Sequence, residues 1–264
     1  MVCAVLGEPS NSRNVNGERT QVMSNITIET LWKSGAHYGH LTRKWNPKMK
    51  EYIFTAKNGI HLIDLGKTIQ CLDEATRFLR ETVRKGGEVL FVGTKKQAKD
   101  IVQREADRCG MFYVVERWLG GTLTNFSTIK KSIRHLQKLE KDKSTGYGEN
   151  LTKKEKLALE RERVKLADLH RGIKDMKKLP DVLVVVDTLH DDIAVQEARR
   201  LDIPVVAILD TNADPTVVDY PIPANDDSIQ TIQLIITELA NAIIEAKNTR
   251  LVDVVPPTTE EAES

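Results

Sequence analysis

Between His37 and Lys50 the chain reads His-Tyr-Gly-His-Leu-Thr-Arg-Lys-Trp-Asn-Pro-Lys-Met-Lys, a run that mixes cations with aromatic rings and turn formers. Such a mixture suits RNA. Lysine and arginine neutralise phosphates, ring faces stack on unpaired bases, and asparagine offers a donor and an acceptor to a base edge or ribose. It suits equally well an ordered basic loop that seats Trp45 and Tyr38 at the edge of a core. His37 and His40, three apart, are possible metal ligands. No cysteine is near them, and His61 or His190 joins only if the fold brings it close.

Three further segments have chemical potential. Gly93-Thr94-Lys95-Lys96-Gln97 follows an apolar run and opens a helical pattern, and free N–H groups at a helix start attract anions. Neither GxGxxG nor GxxxxGK[ST] is present, so a nucleotide-binding fingerprint is not met. A phosphate of an RNA backbone fits that geometry, as does a plain helix start with solvated lysines. Arg117-Trp118-Leu119-Gly120-Gly121-Thr122-Leu123-Thr124-Asn125 pairs glycines that permit close backbone approach with residues able to cap a helix, and reads as a contact loop or a structural turn. Asp187, Asp191, Asp192, Asp210 and Asp214 sit at or just beyond the ends of two apolar strands, the edge where open α/β sheets bind ligands. That is the best local case for a Mg²⁺-dependent enzyme. Against it, no set of nucleophile, base and orienting residue is visible, and helix capping explains several of these acids.

The elements that must hold these segments alternate. Tyr52-Ile53-Phe54 and Ile60 to Ile63 predict short strands about an Asn58-Gly59 turn. Lys67 to Lys85 predicts a helix, with Ile69, Leu72, Ala75, Phe78, Leu79 and Val83 at helical spacing. Glu88 to Val92, Met111 to Val115, Val182 to Val186 and Val205 to Leu209 predict strands, and the near-continuous apolar runs mark a parallel sheet covered on both faces. Helices are predicted at Lys95 to Cys109, Asp191 to Leu201 and Ser228 to Lys247, with a short edge strand at Tyr220 to Pro223. The alternation predicts a three-layer α/β sheet with right-handed crossovers.

Thr128 to Lys178 breaks the alternation. Ile129, Ile133, Leu136 and Leu139 form one stripe, and Leu159, Leu166, Leu169, Ile173 and Met176 another, about a turn at Ser144 to Gly148. This predicts an inserted antiparallel helical hairpin with a coiled-coil seam, projecting into solvent. The predicted organisation is therefore a disordered extension at 1–23, an α/β domain in two parts at 24–127 and 179–250, the hairpin at 128–178 and a disordered acidic tail at 251–264.

A net charge of +1 over 264 residues conceals strong segregation. Lys33 to Lys57 holds six Lys/Arg and one acid, Ile129 to Lys178 sixteen Lys/Arg and eight acids, and Asp181 to Ile229 two arginines and eleven acids. Two parts of the molecule can therefore attract polyanions while a third repels them. Three cysteines without CxxC spacing argue against a disulfide framework or zinc ribbon and fit a reducing compartment. No apolar run is long enough to span a membrane. The polar stretch before Met23 has neither a signal-peptide nor a clean transit-peptide pattern, which favours a bacterial cytoplasm over an organelle and Met23 as the native start.

Taken together, GAHYGHLTRKWNPKMKEYIFTAKNGIHLIDL, FVGTKKQAK, RWLGGTLTNF, LPDVLVVVDTLHDDIAVQEARRLDIPVVAILDTNADP and YPIPANDDSIQTIQLI closely resemble, in order and spacing, the bacterial and organellar form of the small-subunit ribosomal protein S2 family. The resemblance runs from about Ile26 to Arg250. It implies a flavodoxin-like (Rossmann-like) parallel sheet with an inserted helical hairpin and a structural role without catalysis, cofactor or small-molecule substrate. It also implies a place between head and body of the small subunit, with small-subunit rRNA as partner and recruitment of the large multi-OB-fold ribosomal protein. The positions that match the family's basic loops are His37, Gly39, His40, Thr42, Arg43, Trp45, Asn46, Pro47 and Lys48; Lys57 and Asn58; Thr94, Lys95, Lys96 and Gln97; and Arg117, Gly120, Gly121, Thr124 and Asn125. By the same resemblance the hairpin is a contact arm. The acidic 181–229 half, which phosphate repels, faces solvent or protein. Free-standing adaptor and α/β enzyme remain the competing readings of the residues alone.

Overall fold

The computed structural model describes residues 26–144 and 152–254. The expected extension with its start at Met23, the turn segment 145–148 and residues 255–264 of the expected tail lie outside the described residues.

The chain opens with helix α1 (Ile28–Ser34), started by a capping box between Thr27 and Thr30 and stopped by Gly35 in the left-handed conformation. Strands β1 (Tyr38–Leu41), β2 (Ile53–Lys57) and β3 (Ile60–Ile63) follow and form a small antiparallel sheet in the order β1-β3-β2. Asn58 and Gly59, with φ of 52° and 75°, make the tight turn between β2 and β3 that the sequence signals. Two 3-10 segments, Thr42–Lys44 and Pro47–Tyr52, link β1 to β2, and Asn46 starts the second by accepting from the Lys48 N–H at 3.0 Å.

The body contains helix α2 (Leu65–Arg84), β4 (Val89–Val92), α3 (Lys99–Cys109), β5 (Phe112–Val114), β6 (Val182–Val186), α6 (Asp192–Arg200), β7 (Val205–Leu209), β8 (Tyr220–Pro223) and α7 (Ile229–Val254). Between β5 and β6 lie α4 (Phe126–Ser144) and α5 (Lys153–His170). Five strands pair in parallel in the order β5-β4-β6-β7-β8. The strand order reverses at β4, so the topological switch point, the place where open α/β sheets bind ligands, lies beyond the carboxyl ends of β4 and β6.

Side chains alternate across this sheet, so each strand feeds two cores. Val89, Phe91, Val184 and Ile208 pack with Leu72, Leu79, Ile235, Leu239 and Ile243 of α2 and α7. Leu90, Val92, Leu183, Val185, Ala207 and Leu209 pack on the other face with Ala194, Val195 and Ala198 of α6. This double burial is why the sequence shows unbroken apolar strands rather than alternation. Met49 of the N-terminal module joins the second core and is fully buried, which docks that module on the body.

Two expectations need correction. Helix α3 begins at Lys99, not Lys95, and its N-cap, Ala98, makes no side-chain cap. Thr94 and Lys95 belong to the turn that leads into it, where the Lys95 carbonyl accepts from the N–H groups of Ala98 and Lys99 at 2.9 and 3.1 Å and the side chains bond across the sheet edge. The hairpin stripes also divide. Ile129 and Ile133 of α4, with Ile173 and Met176 beyond α5, belong to the second core of the body rather than to a free seam. Helices α4 and α5 are tied by Ser132–His170 at 2.8 Å beside that core and, farther out, by His135–Glu162 at 3.0 Å and Lys143–Glu160 at 2.8 Å.

Candidate nucleic-acid interface

The site is built from loops that leave the sheet edge and from the N-terminal module above it. On that module Thr42, Arg43, Pro47, Lys48, Lys57 and Asn58 are exposed. Trp45 is half-buried, its ring 5.1 Å from that of His61. Asn46 donates its backbone N–H to the Thr211 carbonyl at 2.8 Å, which fixes the basic loop to the end of β7. Lys48 pairs with Asp214 at 2.7 Å and with Thr216 at 3.0 Å. The Lys48 hydrogen bond pulls the Asp214 carboxyl down to about 2.

His37 and His40 go separate ways. His37 is buried and stacked on Trp32, with ring centroids 4.0 Å apart and planes 4° from parallel, and burial lowers its pKa. It shares a cavity of about 260 Å³ with Trp32, Tyr38, Lys57, Asn58, Ile60 and Leu62. His40 instead points to the sheet edge, where its Nδ1 lies 2.8 Å from Asp210, and that hydrogen bond raises its pKa. Gly39 makes this approach possible. A Cβ there would stand 2.5 Å from Thr211 Cγ2 and 3.1 Å from Asp210 Oδ1.

The second loop is mostly turned inward. Thr94 is buried, its hydroxyl 2.8 Å from Asp191 Oδ1 and 2.7 Å from His190 Nδ1. Lys95 reaches Asp187 at 3.3 Å, Asp226 at 2.9 Å and Asp227 at 2.8 Å. Burial works against its charge, yet the hydrogen bonds to Asp227 and Asp226 hold its pKa above the lysine range. Burial raises Asp226 to about 7. Gln97 is half-buried, and Lys96 is the exposed cation of this loop.

The third loop wraps a carboxylate that sequence reasoning missed. Glu197 of α6 accepts from Trp118 Nε1 at 3.1 Å, from the N–H groups of Gly121, Leu123 and Thr124 at 2.7, 2.9 and 3.1 Å, and from the Thr124 hydroxyl at 3.1 Å. With Gly121 at φ 88°, the paired glycines bend the chain around this anion. Arg117, Gly120, Thr124 and Asn125 are left exposed at its rim. Asn125 Oδ1 accepts from the Thr128 hydroxyl at 2.9 Å, next to the start of α4. A lone glutamate between core residues Ala194 and Ala198 on one helix face was the available signal.

The loops thus divide by role. His40, Thr94, Lys95 and Gly121 shape and fasten them. Arg43, Lys44, Lys57, Lys96 and Arg117 are exposed and, among the described residues, in no ion pair. A further cationic groove of about 240 Å³ is lined by Lys130, Arg134, Lys174 and Lys177 where α4 meets the segment after α5. Free cations on several loops held by one rigid body are a surface for an extended polyanion rather than for a small substrate. At the switch point Thr94 is buried, with its hydroxyl held between Asp191 and His190.

The model of the ribosomal protein S2 family matches residues 31–246. The chain belongs to that family. It is 53% identical over 226 residues to the small ribosomal subunit protein uS2 of Treponema pallidum, in the Nichols strain and equally in a second strain, covering 86% of this chain and 78% of each relative. The match spans all three loops, both core layers and the α4–α5 insertion, and the S2 family is one of structural ribosomal proteins. Among the described residues, no helix is long and apolar enough to cross a membrane.

Proposed function

We propose that this S2-family chain is a structural constituent of the small ribosomal subunit, binding small-subunit rRNA between head and body in the cytoplasm and supporting translation. The observation behind the RNA contact is the set of exposed, unpaired cations on three separate loops: Arg43, Lys44 and Lys57, then Lys96, then Arg117. Phosphates position the protein through these cations, and loop shape selects the RNA site. Gly120, Thr124 and Asn125 lie beside Arg117 and approach the sugar-phosphate backbone. The remaining family-matched positions, from His37 through Gln97, shape those loops.

The α4–α5 pair is an antiparallel coiled-coil arm in this reading, with the Lys130–Lys177 groove at its root as another phosphate contact. Ile28, Trp32, Tyr38, Leu41 and Phe54 are large apolar side chains exposed on the N-terminal module. They favour a protein neighbour there, and the large multi-OB-fold ribosomal protein is the partner that the S2 resemblance supplies. Residues 24–127 and 179–250 form one scaffold for these contacts.

The test is binding of purified chain to a small-subunit rRNA fragment, compared with a variant carrying Arg43→Ala, Lys96→Ala and Arg117→Ala together. The variant is expected to lose at least about 10-fold in affinity at moderate salt while its melting temperature holds. Equal affinity would remove these loops from the RNA interface.

A further inference from the structure

Strands β5, β4 and β6 are neighbours in the sheet, and the loops at their carboxyl ends carry Arg117, Lys96 and His190 in that order. Arg117 and Lys96 are free cations. His190 is a different kind of group and is held more firmly. Its backbone N–H and that of Leu189 donate to Asp187 Oδ1 at 3.3 and 2.9 Å. Asp187 is buried, keeps a left-handed φ of 67° and takes Lys95 on its other oxygen at 3.3 Å. A residue other than glycine is strained in that conformation, and such strain gathers where a loop must aim a binding group.

The ring is fixed as well as the backbone. Its Nδ1 lies 2.7 Å from the Thr94 hydroxyl, which lies 2.8 Å from Asp191 Oδ1. A carboxylate can only accept, so the hydroxyl proton goes to Asp191 and the hydroxyl oxygen accepts from the ring. In the neutral imidazole this puts the proton on Nδ1 and leaves Nε2 as a bare acceptor. Nε2 has no hydrogen-bond partner among the described residues, and the side chain is 49% exposed. Asp191 and the exposed Asp192 follow His190 directly, and their charge repels a phosphate from this acceptor. A neutral hydroxyl is not repelled. Lys96 stands two residues from Thr94, within about 7 Å of chain, and draws a phosphate to the neighbouring position. The ribose attached to that phosphate then brings its 2′-hydroxyl to the ring.

We propose that His190 Nε2 accepts a hydrogen bond from a ribose 2′-hydroxyl next to a phosphate held by Lys96, so that the switch point of the sheet is where the chain distinguishes RNA from DNA. The inference rests on the reading of these loops as an rRNA surface and adds to it a contact that reads chemical identity rather than charge. Thr94 and Asp187 position the ring and its loop and do not themselves touch the RNA. Because Nδ1 is already committed, the acceptor is set before binding, and little freedom is lost when the hydroxyl arrives.

The full chain is bound to a small-subunit rRNA fragment carrying sparse 2′-deoxy phosphorothioate nucleotides, with the 2′-hydroxyl phosphorothioate as reference. Bound and free RNA are separated and cleaved with iodine. With wild-type chain, 2′-deoxy substitution is expected to be depleted from the bound RNA at one or more nucleotides. In His190→Ala the depletion disappears at one of them, and affinity for the unmodified fragment falls roughly 2–10-fold, the worth of one hydrogen bond. The melting temperature holds, because the ring is half-exposed. The slope of log affinity against log salt is unchanged in His190→Ala, since a hydroxyl contact releases no counterion, whereas Lys96→Ala flattens it by about 1. His190→Gln, whose side-chain oxygen reaches the Nε2 position, is expected to recover part of the affinity and of the depletion. No 2′-deoxy depletion with wild-type chain, the same depletion pattern or full affinity in His190→Ala, or a slope flattened by about 1 in that variant would each overturn the hydroxyl contact and leave the RNA reading standing. A wild-type chain that does not bind the fragment would overturn both.

Discussion

The indole N–H of Trp118 donates to Glu197 across 3.1 Å of space and 79 residues of sequence. That bond joins the loop after β5 to helix α6, and three backbone N–H groups of the same loop converge on the same carboxylate. The third basic loop is therefore held in shape by a buried anion at its centre, while Arg117 projects from its rim.

Removing that anion leaves the loop donors unmet. Glu197→Ala is expected to destabilise the chain by about 3 kcal/mol, since each unsatisfied buried donor costs on the order of 1–3 kcal/mol and the loop relaxes enough to hydrate some of them. Denaturant unfolding checks the magnitude. A change within about 0.5 kcal/mol, the range of ordinary surface substitutions, would mean that the loop shapes itself.

The same carboxylate sets a pH dependence. Burial opposes its charge, but the N–H groups of Thr124, Gly121 and Leu123 and the Trp118 indole outweigh burial and hold its pKa below 4.5, the ordinary value. A group lowered on folding stabilises fully above its unfolded pKa and loses that contribution as pH falls through the folded one. The stability gap between wild type and Glu197→Gln is therefore expected to be constant near neutrality and to narrow progressively below pH 4.5. Melting curves across that window decide it; a gap that widens on acidification would reverse the sign.

Gly39 tests the docking of the N-terminal module. A methyl group there meets the Thr211 side chain at 2.5 Å, closer than Cβ atoms come, and Asp210 Oδ1 at a tight 3.1 Å. Gly39→Ala is expected to cost about 1–3 kcal/mol by overpacking. Limited trypsin cleavage after Arg43 or Lys44 should accelerate as β1 lifts from the sheet edge. Unchanged cleavage and melting would show that β1 is not seated there as described.

The hairpin is expected to behave as two parts. Replacing residues 141–160 with a short Gly/Ser linker should leave a cooperative melt of the body, because loop closure changes little with length. Ile133→Ala or Met176→Ala, both in the second core, should cost about 2–5 kcal/mol each. Loss of cooperativity in the shortened chain would make the outer hairpin part of the folding unit.

Cations of the same loop should differ in salt dependence. With about five cations neutralised on helical RNA, the slope of log affinity against log salt is expected near −4 to −5. Arg43→Ala should flatten it by about 1 and Lys48→Ala by less, because Asp214 already pairs with Lys48. Equal effects would mean that Lys48 leaves Asp214 on binding.

What could be read along the chain was whatever has a local cause. The strands Val182–Val186 and Val205–Leu209 are apolar throughout because both faces are covered, and Asn58-Gly59 turns because both residues accept positive φ. Lys95 and Lys96 are neighbours of one type, yet one is enclosed by Asp226, 131 residues away, and the other is solvated. No local pattern distinguishes them. The Asn225-Asp226-Asp227 run after β8 was legible in principle, since it extends to the last strand the rule that drew attention to Asp187 and Asp210. Glu197 was legible only as an acid on a core face, and its partners come from a loop more than seventy residues earlier.

The most direct measurement is sedimentation of a cell lysate through sucrose gradients at low and high salt, with the chain followed by immunoblot. Comigration with small ribosomal subunits at low salt, and release to the top of the gradient as salt rises, is the predicted result. A chain that stays at the top under all conditions would contradict the ribosomal scaffold.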